Sequence, residues 1–448
     1  MVGSNIQLFA IGPQDFHLTA NPQISFFKTV FRRHTNFSLD TRRIHFSGET
    51  PTFGSQDVYA KITKEGDLLS NLFLEATITA TSDTKGVYTV NHFGNALIKK
   101  VDIEIGGFTI DTHHSQWLQI YDELTQNIDI NNQTVSGLKG GAYTDLNFTS
   151  DTDVTKFNIN NRIYGDCPLV FGGSRKNGNI NSDAGTYTKK IMIPLRFWFT
   201  KSPGQFLPLC ALYKHEVKLK FTFEEKHKLI GNSTNISNMT CSLRLFGEFL
   251  HLDDEEKRRF SQSNHEYIIE QVQLNNNGPS ITTSSPQTSN QLVKIDYELN
   301  FNHPIKYFAW VIVNSGSPST TLSNNSGMGP CYFVSLCSNS IYGNDGNDGT
   351  VDILFDGVER EIELPMSFYT RLNTKKYCKN MPDLDRIGLY SFALNPFEAE
   401  PSGTCNFSRI NNKNIKLAFA NNDIGTISGK ELYIFGINYN VFIITDGM

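Results

Sequence analysis

At 448 residues, 39 % of them hydrophobic, the chain is long enough for two or three domains, each with a core of its own. A formal net charge of −5 removes the general electrostatic case for nucleic acid. No apolar run approaches the ~20 residues of a helical bilayer span, and the N-terminus lacks the basic-then-apolar pattern of a signal peptide, so a soluble protein made in a cytoplasm is expected.

Residues 21–33 begin close to Pro22, which suits a first helical turn, and are expected to be partly helical. Leu72, Leu74, Ala76, Ile78 and Ala80 alternate with Phe73, Glu75, Thr77 and Thr79. A period of two marks a strand with one buried face. Val101, Ile103 and Ile105 repeat the pattern and run into a turn at Gly106-Gly107. Residues 115–124 form the next helix candidate. The stretch 127–188 is polar and rich in Asn, Gly, Ser and Thr, so it reads as a loop inserted between strands, where recognition tends to reside. Strand patterns resume at Ile191, Ile193, Leu195, Phe197 and Phe199, then at Val217, Leu219, Phe221 and Phe223. Residues 253–260 start with Asp253-Asp254 and close with Arg258-Arg259, a charge order that suits a helix. Val293, Ile295, Tyr297, Leu299 and Phe301 come next. The most apolar run, 305–313, contains Lys306. A second polar insertion, 314–350, separates it from Val351, Ile353 and Phe355.

The two halves end alike. Pro203-Gly204, Val217-Lys218-Leu219 and Leu245-Phe246-Gly247 in the first half match Pro401-Ser402-Gly403, Ile415-Lys416-Leu417 and Ile434-Phe435-Gly436 in the second. Sixteen positions separate Pro203 from Leu219, and sixteen separate Pro401 from Leu417. Each half also has a strand entering a Gly turn, Gly106-Gly107 and Asp356-Gly357, followed by an aromatic stretch at 117–124 and 368–372. Two copies of one β-rich unit explain this better than one irregular domain. The expected division is a segment 1–36, a first unit 37–252, a linker 253–264 and a second unit 265–448. A scaffold repeated without any repeated chemical motif points to shape rather than catalysis.

Candidate chemistry is sparse. Glu359, Glu361 and Glu363 alternate on one strand, as paired carboxylates of a sugar hydrolase could, but also as a solvated strand face does. His113-His114 and His215 have no recognised ligand spacing. The run 344–349 (NDGNDG) lacks the ligand alternation of a calcium loop and reads as two tight turns. Gly-rich 137–141 carries no phosphate-binding fingerprint, and no nucleophile elbow occurs. The seven cysteines are scattered without a Cys-x-x-Cys, as free thiols in a reducing compartment are. No metal or cofactor is expected. Lys28, Arg32, Arg33, His34, Arg42 and Arg43 interleave with Phe26, Phe27, Phe31 and Phe37. Two readings stand for that region: contact with nucleic acid or a membrane surface, or a segment docked by its aromatics under the first sandwich. Asn-x-Ser/Thr sequons include Asn132, Asn147, Asn232, Asn235, Asn238 and Asn324.

These motifs together resemble one family. They are NPQISFFKTVFRRHTNF at 21–37, VDIEIGG at 101–107, WLQIY at 117–121, PGQFLPL at 203–209 and HEVKL at 215–219. DEEKRRF at 254–260, HEYIIE at 265–270, YSFALNP at 390–396, PSGTCNFSR at 401–409 and NYN at 438–440 complete the set. The chain is similar to the major capsid proteins of nucleocytoplasmic large DNA viruses and departs mainly in its long loops. The resemblance implies an all-β chain of two tandem eight-stranded antiparallel jelly rolls with few short helices. It implies a homotrimer forming pseudo-hexameric capsomers, with neighbouring capsomers, minor capsid proteins and the internal membrane as partners and no specific nucleic acid. It places Lys28, Arg32, Arg33 and His34 at the inner face of a virion capsid. It puts 127–188 at the outer top, where host contact and glycans on Asn132 or Asn147 would fall; Asn324, in the insertion 314–350, is the other candidate acceptor. The competing reading is a tandem sandwich that binds or cleaves glycans.

Overall fold

The computed structural model describes residues 6–29, 31–82, 87–88, 90, 92–125, 170–171, 174–176, 179–181, 185–229, 239–275, 293–313, 333, 336, 349–378, 386–419 and 431–445. Residues 1–37 and 38–448 form separate compact units. The first carries two single-turn helices, Ile6–Phe9 and Phe16–Thr19. The helix expected over 21–33 is not found among its described residues. Asn21 sits at φ 52°, a left-handed break directly before Pro22. Beyond it, the Ser25 hydroxyl accepts the Phe27 N–H at 3.3 Å, a local bond that competes with a helical ladder.

The first eight main strands are β1 Phe37–Ile44, β2 Val58–Ile62, β3 Leu68–Ser82, β4 Ile98–Ile105, β5 Phe108–His114, β6 Gly185–Pro194, β7 Val217–Phe223 and β8 Met239–Leu252. They pair in the orders β1-β8-β3-β6 and β2-β7-β4-β5. The second eight are β9 His265–Asn275, β10 Val293–Glu298, β11 Pro304–Val313, β12 Thr350–Phe355, β13 Val358–Pro365, β14 Gly388–Ser391, β15 Lys413–Phe419 and β16 Glu431–Ile444. Their orders are β9-β16-β11-β14 and β10-β15-β12-β13. Both sets wind in the same way, so the chain is two tandem jelly rolls. Each buries the inward residues of its facing sheets: Leu74, Ile78, Ile103 and Phe221 in the first, Phe308, Trp310, Ile353 and Leu417 in the second.

The repeat extends to irregularities. Gly247 pairs with Leu72, and a bulge beyond it leaves Ser70 unopposed. Gly436 pairs with Phe308, and a bulge beyond it leaves Lys306 unopposed. A two-residue strand joins the start of each middle strand, Leu207 on Leu69 and Cys405 on Ile305. Both glycines face a crowded core. A Cβ at Gly247 would lie 2.9 Å from Ile44, and one at Gly436 would lie 3.1 Å from the Phe301 ring. The β4–β5 and β12–β13 hairpins both need two left-handed residues, supplied by Gly106-Gly107 and Asp356-Gly357.

One expected equivalence shifts. Leu219 and Leu417 lie on matching strands, but Leu219 pairs with Ile103 whereas Leu417 pairs with Val351. Measured from the hairpin glycines, Ile415 opposite Ile353 holds the place of Leu219. Equal spacing concealed this because a slip of two residues returns the same face of a strand to the core.

The helices are short. α1, Ser115–Thr125, follows β5. α2, Asp254–Gln262, follows β8 in the expected linker. A π-helical turn, Phe368–Leu372, runs into α3, Asn373–Tyr377, after β13. Cys210, Cys241, Cys378 and Cys405 are free thiols.

Candidate functional site

The most elaborate chemistry lies in the seam between the jelly rolls. α1 is fastened to its own sandwich through Asp122, which accepts Asn95 Nδ2 at 3.0 Å and pairs with Arg196 at 3.1 Å. Its other face presents Trp117, Ile120 and Leu124 to the outer side of the β9-β16-β11-β14 sheet, against Tyr307, Ala309, Val311, Phe435 and Ile437. The Trp117 ring lies 5.9 Å from Phe435 and 6.4 Å from Tyr307. β11 is therefore buried on both faces, which is why its sequence is a continuous apolar run rather than an alternation.

Polar groups fix the register of the seam. Gln271 Nε2 on β9 donates to the Ile110 carbonyl on β5 at 2.5 Å, and the Val272 N–H donates to Asp111 Oδ1 at 3.0 Å. Lys201, after the 3-10 turn Trp198–Thr200, reaches Glu270 Oε2 at 2.5 Å. The bulge residue Lys306 reaches Glu270 Oε1 at 2.6 Å and the Glu398 carbonyl at 2.7 Å. Burial alone would push the Glu270 carboxyl up, but the two ammonium groups overcome it and hold it below the usual carboxylate range. Burial draws the Lys306 ammonium down, and Glu270 opposes this. Beside the trio lies a cleft of about 340 Å³ lined by Tyr121, Arg196, Lys201, Glu270, Tyr307 and Phe397.

The histidines singled out by sequence stand apart. His113 is buried 2.9 Å from Asp111 and stacks on Phe197 at 4.6 Å. His114 points the other way, 6.4 Å from Phe435 in the seam. Burial there, with Lys100 nearby, pulls its pKa down to about 4. The ring of His215 covers Gly106. Among the described residues no group of three His, Cys, Asp or Glu could hold a metal ion. Glu359 and Glu363 lie on the exposed strand β13, while Glu361 accepts the Tyr369 hydroxyl at 3.2 Å. Lys28, Arg32, Arg33 and His34 are exposed together with Phe26, Phe27 and Phe31. Asn132, Asn147 and Asn324, like residues 137–141 and Asn232, Asn235 and Asn238, lie outside the described residues. Sequence reasoning did not find the Lys201–Glu270–Lys306 trio. Its one signal was a lysine inside the most apolar run.

Two jelly rolls sealed by a helix, an aromatic seam and a buried ion trio make a tandem double jelly roll. Residues 25–249 match the family profile described as major capsid protein N-terminus, and residues 256–448 match large eukaryotic DNA virus major capsid protein. The chain belongs to that family and is a structural protein of the virion capsid. It is similar to the major capsid protein of Pyramimonas orientalis virus, at 32 % identity over 100 % of this chain and 98 % of the relative. It is also similar to that of Paramecium bursaria Chlorella virus 1, at 31 % identity over 100 % and 98 %. Among solved structures, the quasi-atomic PBCV-1 virus capsid superposes with a TM-score of 0.69 at 26 % identity, covering 95 % of this chain and 98 % of that one. The Faustovirus major capsid protein, 12 % identical with a TM-score of 0.62 over 97 % and 94 % of the two chains, shares the fold.

Proposed function

We propose that three copies of the chain form a homotrimer, that the trimer is a pseudo-hexameric capsomer, and that such capsomers tile the icosahedral shell of a large double-stranded DNA virus. The observation that carries this reading is the doubling itself: strand order, bulges and hairpin turns recur in both halves. A threefold axis through such chains sets six similar sandwiches in a closed ring suited to a near-hexagonal lattice. The chain so read catalyses nothing and takes no cofactor. Its proposed division remains 1–36, 37–252, 253–264 and 265–448; the main strands on either side of 253–264 pair only with their own side, which supports it.

The segment 1–36 is proposed to face the particle interior and to meet minor capsid proteins and the internal membrane through Lys28, Arg32, Arg33 and His34. Exposed aromatics beside exposed cations suit such a partner. The insertions 127–188 and 314–350 are proposed to face outward, with host contact and glycans on Asn132, Asn147 or Asn324. Synthesis and assembly in the host cytoplasm suit the free thiols. Light scattering of purified protein at micromolar concentration should report about three chain masses, and negative-stain images should show pseudo-hexagonal particles. A persistent monomer would overturn the reading, because a shell tile needs extensive lateral burial.

A further inference from the structure

A cleft opens beside the ion trio where the two jelly rolls meet, and each supplies one wall. Arg196, Lys201 and Tyr121 come from the first, and Tyr307, Phe397 and Glu270 come from the second. Its volume of about 340 Å³ is the room of about ten waters and falls at the small end of the ~300–1,000 Å³ span of ligand sites. The second wall is aromatic, with the Tyr307 and Phe397 rings 5.0 Å apart. Tyr307 is buried, so its ring is a fixed surface.

The first wall gathers cations over one ring. The Arg196 guanidinium lies 6.0 Å from the centre of the Tyr121 ring, and the Lys201 ammonium lies 5.1 Å from it. Both keep N–H groups without a partner among the described residues. Arg196 turns Nε and Nη2 to one oxygen of Asp122, at 3.2 and 3.1 Å, which leaves Nη1. Lys201 gives one of its three hydrogens to Glu270. The nearby acids are already engaged. Asp122 also accepts Asn95, Glu270 also holds Lys306, and Asp111 takes the Val272 N–H beside His113. Glu398 at the rim is exposed and accepts Asn395 Nδ2 at 3.3 Å. Arg196, Lys201 and Lys306 thus set three positive charges against the two negative charges of Asp122 and Glu270.

We propose that this cleft binds a small organic carboxylate, with its head between Arg196 and Lys201 and its apolar body against Tyr307 and Phe397. A carboxylate matches the guanidinium fork and brings the one negative charge that evens three cations with two acids. An apolar body gains by leaving water for the aromatic wall, a gain that an inorganic anion cannot make. Because the walls belong to different jelly rolls, an occupant binds the closed seam and strengthens it by mass action. The site lies within one chain, so it does not depend on the trimer.

Titration calorimetry on the full-length chain tests this, with benzoate as the probe and benzyl alcohol, benzamidinium and inorganic phosphate as comparators. Benzoate should bind one site per chain with a Kd of about 1 mM or tighter, and it should raise the melting temperature. The neutral alcohol, the cation and phosphate should each bind at least about tenfold more weakly. Lys201→Gln should weaken benzoate by about tenfold, the loss of one charge-assisted bond, and it leaves Glu270 paired with Lys306. Ala399→Trp, at an exposed position on the cleft, should abolish binding by bulk while removing no charge. Circular dichroism checks that both variants fold; should Lys201→Gln fail to fold, Ala399→Trp decides alone. Three results would each overturn the site: no benzoate binding at about 10 mM, equal binding of benzoate and benzyl alcohol, or unchanged benzoate affinity in folded Ala399→Trp.

Discussion

Glu270 stands between two cations that reach it from different places, Lys201 in the first jelly roll and Lys306 in the bulge of β11. Neither ammonium can be left alone, because Lys306 is fully buried. Removing the shared carboxylate in Glu270→Ala should cost roughly 3–5 kcal/mol, the usual penalty for orphaning a buried charge. Equilibrium urea unfolding measures this, and a change under 1 kcal/mol would contradict it. The same carboxylate makes the seam acid-sensitive. Its folded pKa is depressed, so its contribution is complete well above the unfolded value of ~4.3 and is lost as pH falls through the folded value. His114 adds a second acid term in a higher window. Folded, it resists a proton until about pH 4, whereas its ordinary value is 6.5, so the unfolded chain binds more protons between them. The His114 contribution should therefore fall from pH 6.5 towards 4 and level off below, by about 3 kcal/mol at most, while the loss from Glu270 continues at lower pH. His114→Leu should flatten that slope, and an unchanged pH profile from 7 to 4 would contradict it.

α1 shows how an element acquires its role from what it faces. Its length alone would leave it marginal in water, so its order comes from the aromatic seam it fills. Trp117→Ala should cost roughly 3–5 kcal/mol in urea unfolding and should loosen the two jelly rolls, which limited proteolysis can detect. Gly436→Ala tests a tight spot: a methyl 3.1 Å from the Phe301 ring should destabilise by roughly 1–3 kcal/mol without altering the strand order. The strands themselves were legible because each buries one face, and Leu72 to Ala80 or Val217 to Phe223 display that alternation openly. The hairpins were legible because Gly106-Gly107 and Asp356-Gly357 are conformational necessities. Legibility ended where the determinants are remote. Residues 201, 270 and 306 carry no local pattern that joins them. The pairing shift at Leu417 left no trace because period two hides a slip of two. The helix expected over 21–33, not found among the described residues, follows a left-handed Asn21 and meets a local Ser25–Phe27 bond, neither of which periodicity reveals.

At the scale of the whole molecule, the chain divides its labour between a packed body and a segment that buries little. Leu18, Ile24, Phe26, Phe27 and Phe31 of the unit 1–37 are all exposed. Exposed aromatics interleaved with Lys28, Arg32, Arg33 and His34 nevertheless form the kind of surface that stays soluble alone and binds when a partner covers it. Deleting residues 1–36 should therefore leave urea unfolding within about 1 kcal/mol of the full chain. The trimer mass should also survive, because the paired main strands of both jelly rolls lie at residue 37 and beyond. Shell assembly should fail or slow markedly, since the contact with interior partners is gone. Co-expression with the remaining capsid components, followed by electron microscopy of particles, reads the last effect directly. Truncated chains that assemble intact shells would remove the interior-contact role from this segment, and truncated chains that unfold would show that its aromatics belong to the first core after all.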